Sequence, residues 1–438
     1  MSSMQPAFAE PGVVESRSNG GRGIALPPFF PPLLLGADFA AQAVPLWMMY
    51  SMGQGWPVFI MAGILLGLVP GIDHLLDKRN YRFDAGIGET AFRRMLMVQA
   101  VFLFLTFAGS VAVAASGRVP LWAGIFAVVT VGIINVHIPV VAHDFGHKRD
   151  RRNRMISNAV CAIGGLGYFM PQHVMGHHIQ VATPEDCASA KFGQTSFGFI
   201  VKSFIPEVRG GITLEAERLR KRGLPVWSLH NDVIVSYGMA VAIAAGLVAL
   251  LGWMALPFIL LHHASVWLML NDYIQHYGLM REMLPSGKRE PQSPMHSWSA
   301  DAPLCNLMVF NVQRHAYHHA KPMLSYQHLV ALEEGPRCPT GYFGMMVLAL
   351  NPPWWHHVMD PLVVHYAKGK RGRVNVHPAS EKRFEKLAAR YRAANPGTDD
   401  GDACRNGDKP LFFVHEHSKD TGSAGSPAED RVGARHEV

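Results

Sequence analysis

Between residues 33 and 273 six apolar windows alternate with polar stretches. They run approximately over 33–52, 56–76, 95–115, 120–142, 233–253 and 256–273. A helix of about 20 apolar residues crosses a hydrocarbon core. One such window is compatible with a buried helix of a soluble protein, whereas six in succession predict an all-α, integral membrane protein with six transmembrane helices. The first window, LLLGADFAAQAVPLWMMYSM, is interrupted by Asp38 and Pro45. Two polar blocks flank the last helix pair. The block 143–232 holds ITLEAERLRKRG, a charged segment with helical spacing, and the second runs from His276 to about Tyr366. Within the latter, YFGMMVLALNPPWW is too short to span and predicts an interfacial or packed helix. The chain therefore divides into a disordered N-terminal lead (1–28), a membrane-embedded domain (29–366) and a polar, largely disordered C-terminal tail (367–438). No internal repeat is apparent.

Composition agrees with a membrane half and a polar half: 49% of the 438 residues are hydrophobic and 17% are charged. The formal net charge of +7 is distributed unevenly. Lys78, Arg79, Arg82, Arg93 and Arg94 follow the second window and KRDRRNR follows the fourth, while the GQG turn carries no charge and the next turn only Arg118. An excess of Lys and Arg in short loops marks the cytoplasmic side, so both termini are expected in the cytoplasm of a bacterial-type inner membrane. This asymmetry accounts for the charge without nucleic acid. The start of the chain lacks the apolar core of a cleavable signal peptide. Its five cysteines form no CxxC pair and are expected to be reduced thiols, with no built-in zinc ribbon.

Histidine supplies the candidate chemistry. HDFGHK places His143 and His147 one helical turn apart, so that both imidazoles reach one metal ion. HVMGHH adds His173, His177 and His178, and HAYHH adds His315, His318 and His319; each contains an i,i+4 pair and a neighbour able to serve a second ion. His276 is the ninth. The predicted topology delivers the fourth and sixth helices, with His143, His147 and His276, to the cytoplasmic side, where both loop clusters lie. His262 and His263 sit about 20 Å up the sixth helix from His276 and are read as hydrogen-bonded interior residues. His137 lies about 9 Å before His143, off the ligand face, and His356 and His357 are read as interfacial or solvated. Imidazole suits several metals. Nine of them exceed the needs of one tetrahedral zinc and predict a cytoplasmic, histidine-rich site for two ions of higher coordination, di-iron by preference.

HDFGHK, HVMGHH, YIQHYG and QRHAYHHA resemble the histidine boxes of the integral-membrane alkane monooxygenases (alkane 1-hydroxylases), within the fatty-acid desaturase and hydroxylase superfamily. VATPEDCASA, HYGLMREMLPSGKRE, HSW and GYFGMMVLALNPPWWHHVMDP are similar to the segments that connect those boxes. The resemblance runs from about Leu33 to Tyr366. It implies a six-helix enzyme with two iron ions held by His143, His147, His173, His177, His178, His276, His315, His318 and His319. It further implies dioxygen as co-substrate, electrons from rubredoxin and rubredoxin reductase, and hydroxylation of the terminal methyl of an alkane or similar alkyl chain.

Departures from the family pattern surround these histidines. Asp144 and Gln172 stand where the family has Glu, Asp272 and Gln275 replace Asn and Glu, and Tyr317 replaces Asp. Such positions are candidates for orienting ligand imidazoles through their second ring nitrogen. Gln in place of Glu removes negative charge, which Asp144, Glu185, Asp186 and Asp272 would in part restore. Two alternatives follow: a related di-iron desaturase or a hydroxylase of aryl methyl or fatty acyl groups, and, from another class, a non-catalytic metal-binding membrane protein.

Overall fold

The computed structural model describes residues 29–76, 87–148, 150–267, 271–332 and 334–396, together with a two-residue parallel pairing of Ile24–Ala25 with Tyr81–Arg82. The expected N-terminal lead, apart from that pairing, and the chain beyond 396 lie outside the described residues. Otherwise the described fold is helical. Five helices are long and apolar enough to cross a membrane: Phe30–Met52, Pro57–Leu75, Glu89–Ala115, Leu121–Gly146 and Asp232–Leu251. The window expected as a sixth span contains the 12-residue helix Ala255–Val266 and, beyond residues 268–270, the short helix Asn271–His276. Twelve residues rise about 18 Å, short of a hydrocarbon core of about 30 Å.

The Leu121–Gly146 span is the centre of the bundle. Its apolar window is 78% buried against 22% for Asp232–Leu251, so it meets protein where the outer helix presents side chains such as Val241 and Leu250 outward. It packs on Glu89–Ala115 and Ala255–Val266, and small residues permit the approach. A Cβ on Gly132 would lie 2.5 Å from Ser265 Cβ, and one on Gly124 3.0 Å from Ala114 Cα. The span breaks at Asn135–Val136, between Leu121–Ile134 and His137–Gly146. Pro139 explains the break, because it has no N–H for the carbonyl four residues earlier and its ring crowds that carbonyl. Asn135 is turned to a different partner, with its Nδ2 3.1 Å from His262 Nε2.

The polar blocks fold over one end of the bundle. YFGMMVLALNPPWW becomes two packed helices, Tyr342–Ala349 and Pro352–Tyr366, with Trp355 buried. The stretch after 366, expected to be a polar and unstructured tail, instead carries helix Glu381–Ala394. Phe384, Leu387, Ala388 and Tyr391 recur at helical spacing, and Phe384, Ala388 and Tyr391 are fully buried. This helix packs on Pro352–Tyr366, where Arg383 Nε lies 2.9 Å from buried Asp360 Oδ2. Asp360 also accepts from Tyr277 Oη at 2.6 Å, beside His276. His356, read from sequence as interfacial or solvated, is buried 3.0 Å from the same hydroxyl. The four described cysteines are free.

Because Gly132 has no room for a side chain, Gly132→Val should destabilise the bundle by about 1–3 kcal/mol through overpacking. Thermal unfolding in detergent checks this; an unchanged midpoint would mean that the two helices do not approach this closely.

Candidate metal centre

Two breaks in helical regularity place the histidines. His143 and His147 end the central span, one α-helical turn apart on one face, with Nε2 atoms 2.7 Å apart. The second cluster lies in 169–180, where His173–His177 form a π turn between short α-helical pieces. A π turn bonds i to i+5 along the backbone and widens the turn; in it His173 Nε2 meets His178 Nε2 at 2.9 Å, while His177 belongs to the other group. The pair expected from HVMGHH was His173 with His177, and the π turn exchanges the partners. The third cluster is α-helical over His315–Ala320. There His315 and His319 pair as expected, with Nε2 atoms 2.9 Å apart, and His318 points to His178 Nε2 at 3.1 Å.

All nine predicted imidazoles therefore gather, and they segregate. His143, His147, His173, His178 and His318 form one group, and His177, His276, His315 and His319 the other, with ligand atoms in each group within 4.8 Å of one another. All are buried except His178, which is partly exposed. His262, His263 and His137 stand outside both groups, as their positions along the helices led one to expect.

The donor set fits metal ions. Two imidazole nitrogens at right angles around an ion, each about 2.1 Å from it, lie about 3.0 Å apart; the bonded pairs here are 2.7–3.1 Å apart. A ring proton can bridge one such pair, since a neutral imidazole has a single N–H. It cannot serve five convergent nitrogens, whereas one cation can. Burial, with the neighbouring imidazoles adding to it, pushes His173, His178, His315, His318 and His319 well below the usual histidine range. Burial and then Lys148 lower His147 to about 3. These rings are neutral at pH 7 and present lone pairs.

His177 is the exception. Burial lowers its pKa, but the charge of Asp186 and the hydrogen bond to it outweigh burial, and the net shift is upward. For Asp186 burial acts upward, yet His177 brings the net shift down. His177 Nδ1 donates to Asp186 Oδ2 at 2.9 Å, and Ser189 Oγ donates to the same oxygen at 2.7 Å. The carboxylate thus favours positive charge on this ring, at the group whose Nε2 has no protein partner. Two further ligand candidates are oriented through Nδ1. His276 donates to the His296 carbonyl at 3.0 Å, and His143 is hydrogen-bonded to the Tyr326 hydroxyl.

The residues singled out as departures take different places. Asp144 Oδ1 accepts from Tyr326 N at 3.1 Å, and so acts on His143 through Tyr326. Gln172 lies against Gly176 and Gly210 and donates to Cys187 Sγ at 3.3 Å, with no bond to a ligand imidazole. Asp272 and Gln275 line a cavity of about 30 Å³ with Pro139, Val140, His143, Phe169, His173, Asn271, Val312 and His315. Tyr317 is half-buried beside the core, and no hydrogen bond of its side chain reaches the nine imidazoles. Sequence reasoning missed Tyr326, whose 183-residue separation from His143 leaves no local signal, and the carbonyl of His296. Asp186 was visible only as a charge.

Asp186→Asn keeps the shape but removes the charge that polarises His177. It should lower metal affinity about 10–100-fold, read by metal analysis of the purified protein after chelator titration; wild-type retention would show that Asp186 does not act on the site.

The Fatty acid desaturase family model matches residues 116–349, which contain all nine histidines. Over 271 residues the chain is 35% identical to Alkane 1-monooxygenase 1 of Alcanivorax borkumensis, covering 61% of this chain and 67% of that protein. It is 32% identical over 350 residues to Alkane 1-monooxygenase 2 of Pseudomonas aeruginosa, covering 76% and 91% respectively. Similarity extends at 28% identity, over 49% of this chain and 57% of the relative, to the xylene/toluene monooxygenase hydroxylase component of Pseudomonas putida. With the histidines gathered at the end of an apolar bundle and this agreement along most of its length, the chain belongs to the alkane monooxygenase family of the fatty-acid desaturase superfamily.

Proposed function

We propose that the protein hydroxylates the terminal methyl of an alkane or a similar alkyl chain at two iron ions, using dioxygen and electrons from rubredoxin and its reductase. The observation that carries this reading is the segregation of nine buried imidazoles into groups of five and four. His143, His147, His173, His178 and His318 would hold one iron, and His177, His276, His315 and His319 the other. Iron bound there supplies the redox chemistry that activates oxygen. Imidazole-rich sites without thiolate exclude soft-metal preference, and nine ligands exceed a zinc hydrolase's three.

The protein's own residues supply position, dryness and charge. Pro139, Val140, Phe169 and Val312 form an apolar wall next to His143, His173 and His315, which favours an alkyl end and excludes water. The cavity of about 30 Å³ is smaller than any alkyl chain, so the walls must part on binding. Asn271, Asp272 and Gln275 are the polar groups on the same wall, placed to hold or pass a proton. Asp186 orients His177, Tyr326 orients His143, and the His296 carbonyl orients His276. We place the membrane domain at 29–366, count Ala255–Val266 with the residues after it as a sixth crossing, and set the metal end on the cytoplasmic face of the inner membrane, in line with its flanking Lys and Arg.

A second reading, hydroxylation of an aryl methyl group, is favoured by the similarity to the xylene/toluene hydroxylase component. Incubating the iron-loaded protein and a rubredoxin pair with labelled dioxygen separates the outcomes. A labelled primary alcohol from an n-alkane supports the proposal, a labelled benzylic alcohol alone supports the second reading, and an unlabelled alkene refutes both. His177→Ala should lose metal from the four-histidine group and abolish turnover, read by iron content and oxygen consumption on one preparation.

A further inference from the structure

His137 is fully buried, six residues before His143, and belongs to neither group of imidazoles. Both its ring nitrogens face carbonyl oxygens: Nδ1 lies 3.2 Å from Ile134 O and Nε2 3.0 Å from Met308 O. A carbonyl only accepts, and a neutral imidazole has one N–H, so the tautomer with its proton on Nε2 donates to Met308 O across the bundle.

The neighbours of this brace form the alkyl crevice. Val136 and Val140 flank His137 on one wall, and Val309 and Val312 follow Met308 on the other. Val140 and Val312 also line the cavity at His143 and His315. The Met308 segment continues through Phe310 and Asn311, both with positive φ (54° and 67°). Such backbone in non-glycine residues persists only where surrounding contacts hold it. The bond from His137 to Met308 O therefore joins the two walls at the end remote from the ligand imidazoles.

We propose that His137, through its bond to Met308 O, is a specificity-determining residue that ties the two crevice walls together and limits the alkyl chain they admit. This rests on the alkyl-hydroxylase reading. The test uses the full-length, iron-loaded protein and three variants: His137→Phe and His137→Leu, which cannot donate to Met308 O, and His137→Gln, whose amide still can. Each protein is incubated with an equimolar mixture of n-alkanes of graded length, and the retained hydrocarbon is identified by gas chromatography and mass spectrometry. His137→Phe should keep the wild-type iron content and shift retention, with the kcat/KM ratio between long and short chains, by about tenfold toward longer chains.

His137→Gln should keep the wild-type retention, because its amide can still donate to Met308 O, and His137→Leu keeps the test available if His137→Phe does not fold. Unchanged chain-length retention in His137→Phe, or in His137→Leu where the first does not fold, overturns the role, as does an equal shift in His137→Gln. A wild-type protein that retains no hydrocarbon overturns the alkyl reading itself, and the role with it, and is distinguishable from these outcomes.

Discussion

Nine imidazoles cannot be packed dry into the end of a membrane bundle unless something positive sits among them. Each ring brings lone pairs toward nitrogens 2.7–3.1 Å away, and a single N–H per ring cannot quench them all. Polar groups buried without partners are costly, and here the cost is concentrated in two small volumes. The rest of the structure near the site follows from bringing those volumes into being: a kinked central span, a π turn, a short helix entered through left-handed backbone, and a set of second-nitrogen partners that fix ring orientation.

The two groups depend on different supports. The five-histidine group takes two ligands from the central span, and Lys148, next to His147, donates to Met323 O and Ser325 Oγ at 3.0 Å each. Tyr326 then links Asp144 to His143. The four-histidine group is supported by Asp186 and by the segment around His276, which the C-terminal residues clasp. Asn375 N donates to Gly278 O at 3.0 Å, and Phe192 N to Asn375 O at 2.7 Å. The first group thus joins the central span to the polar cap, and the second is held by the segments around Asp186 and His276.

Much of this was legible in the sequence because its two strongest signals are insensitive to detail. A long apolar window announces a span whatever its periodicity, and five of the six windows correspond to helices of spanning length. Paired histidines four apart announce a shared face, which holds for His143 with His147 and for His315 with His319. Sequence spacing misleads where the backbone leaves the α period. The π turn at His173–His177 has no sequence signature and reassigns which histidines share a group. Composition hides a second element. Glu381–Ala394 is highly charged, yet Phe384, Ala388 and Tyr391 at helical spacing anchor it to Pro352–Tyr366. Of the altered positions, Asp144 proved to reach a ligand candidate through Tyr326, whereas Gln172 and Tyr317 do not bond to one.

The measurement that bears most directly on the central claim is iron K-edge X-ray absorption on the iron-loaded protein, with metal counted on the same sample. The account predicts two irons per chain, a first shell of nitrogen and oxygen without sulfur, and the outer-shell scattering of four to five imidazoles per iron, as the groups of five and four require. One ion per chain, or a first shell with three imidazoles or fewer, would contradict it.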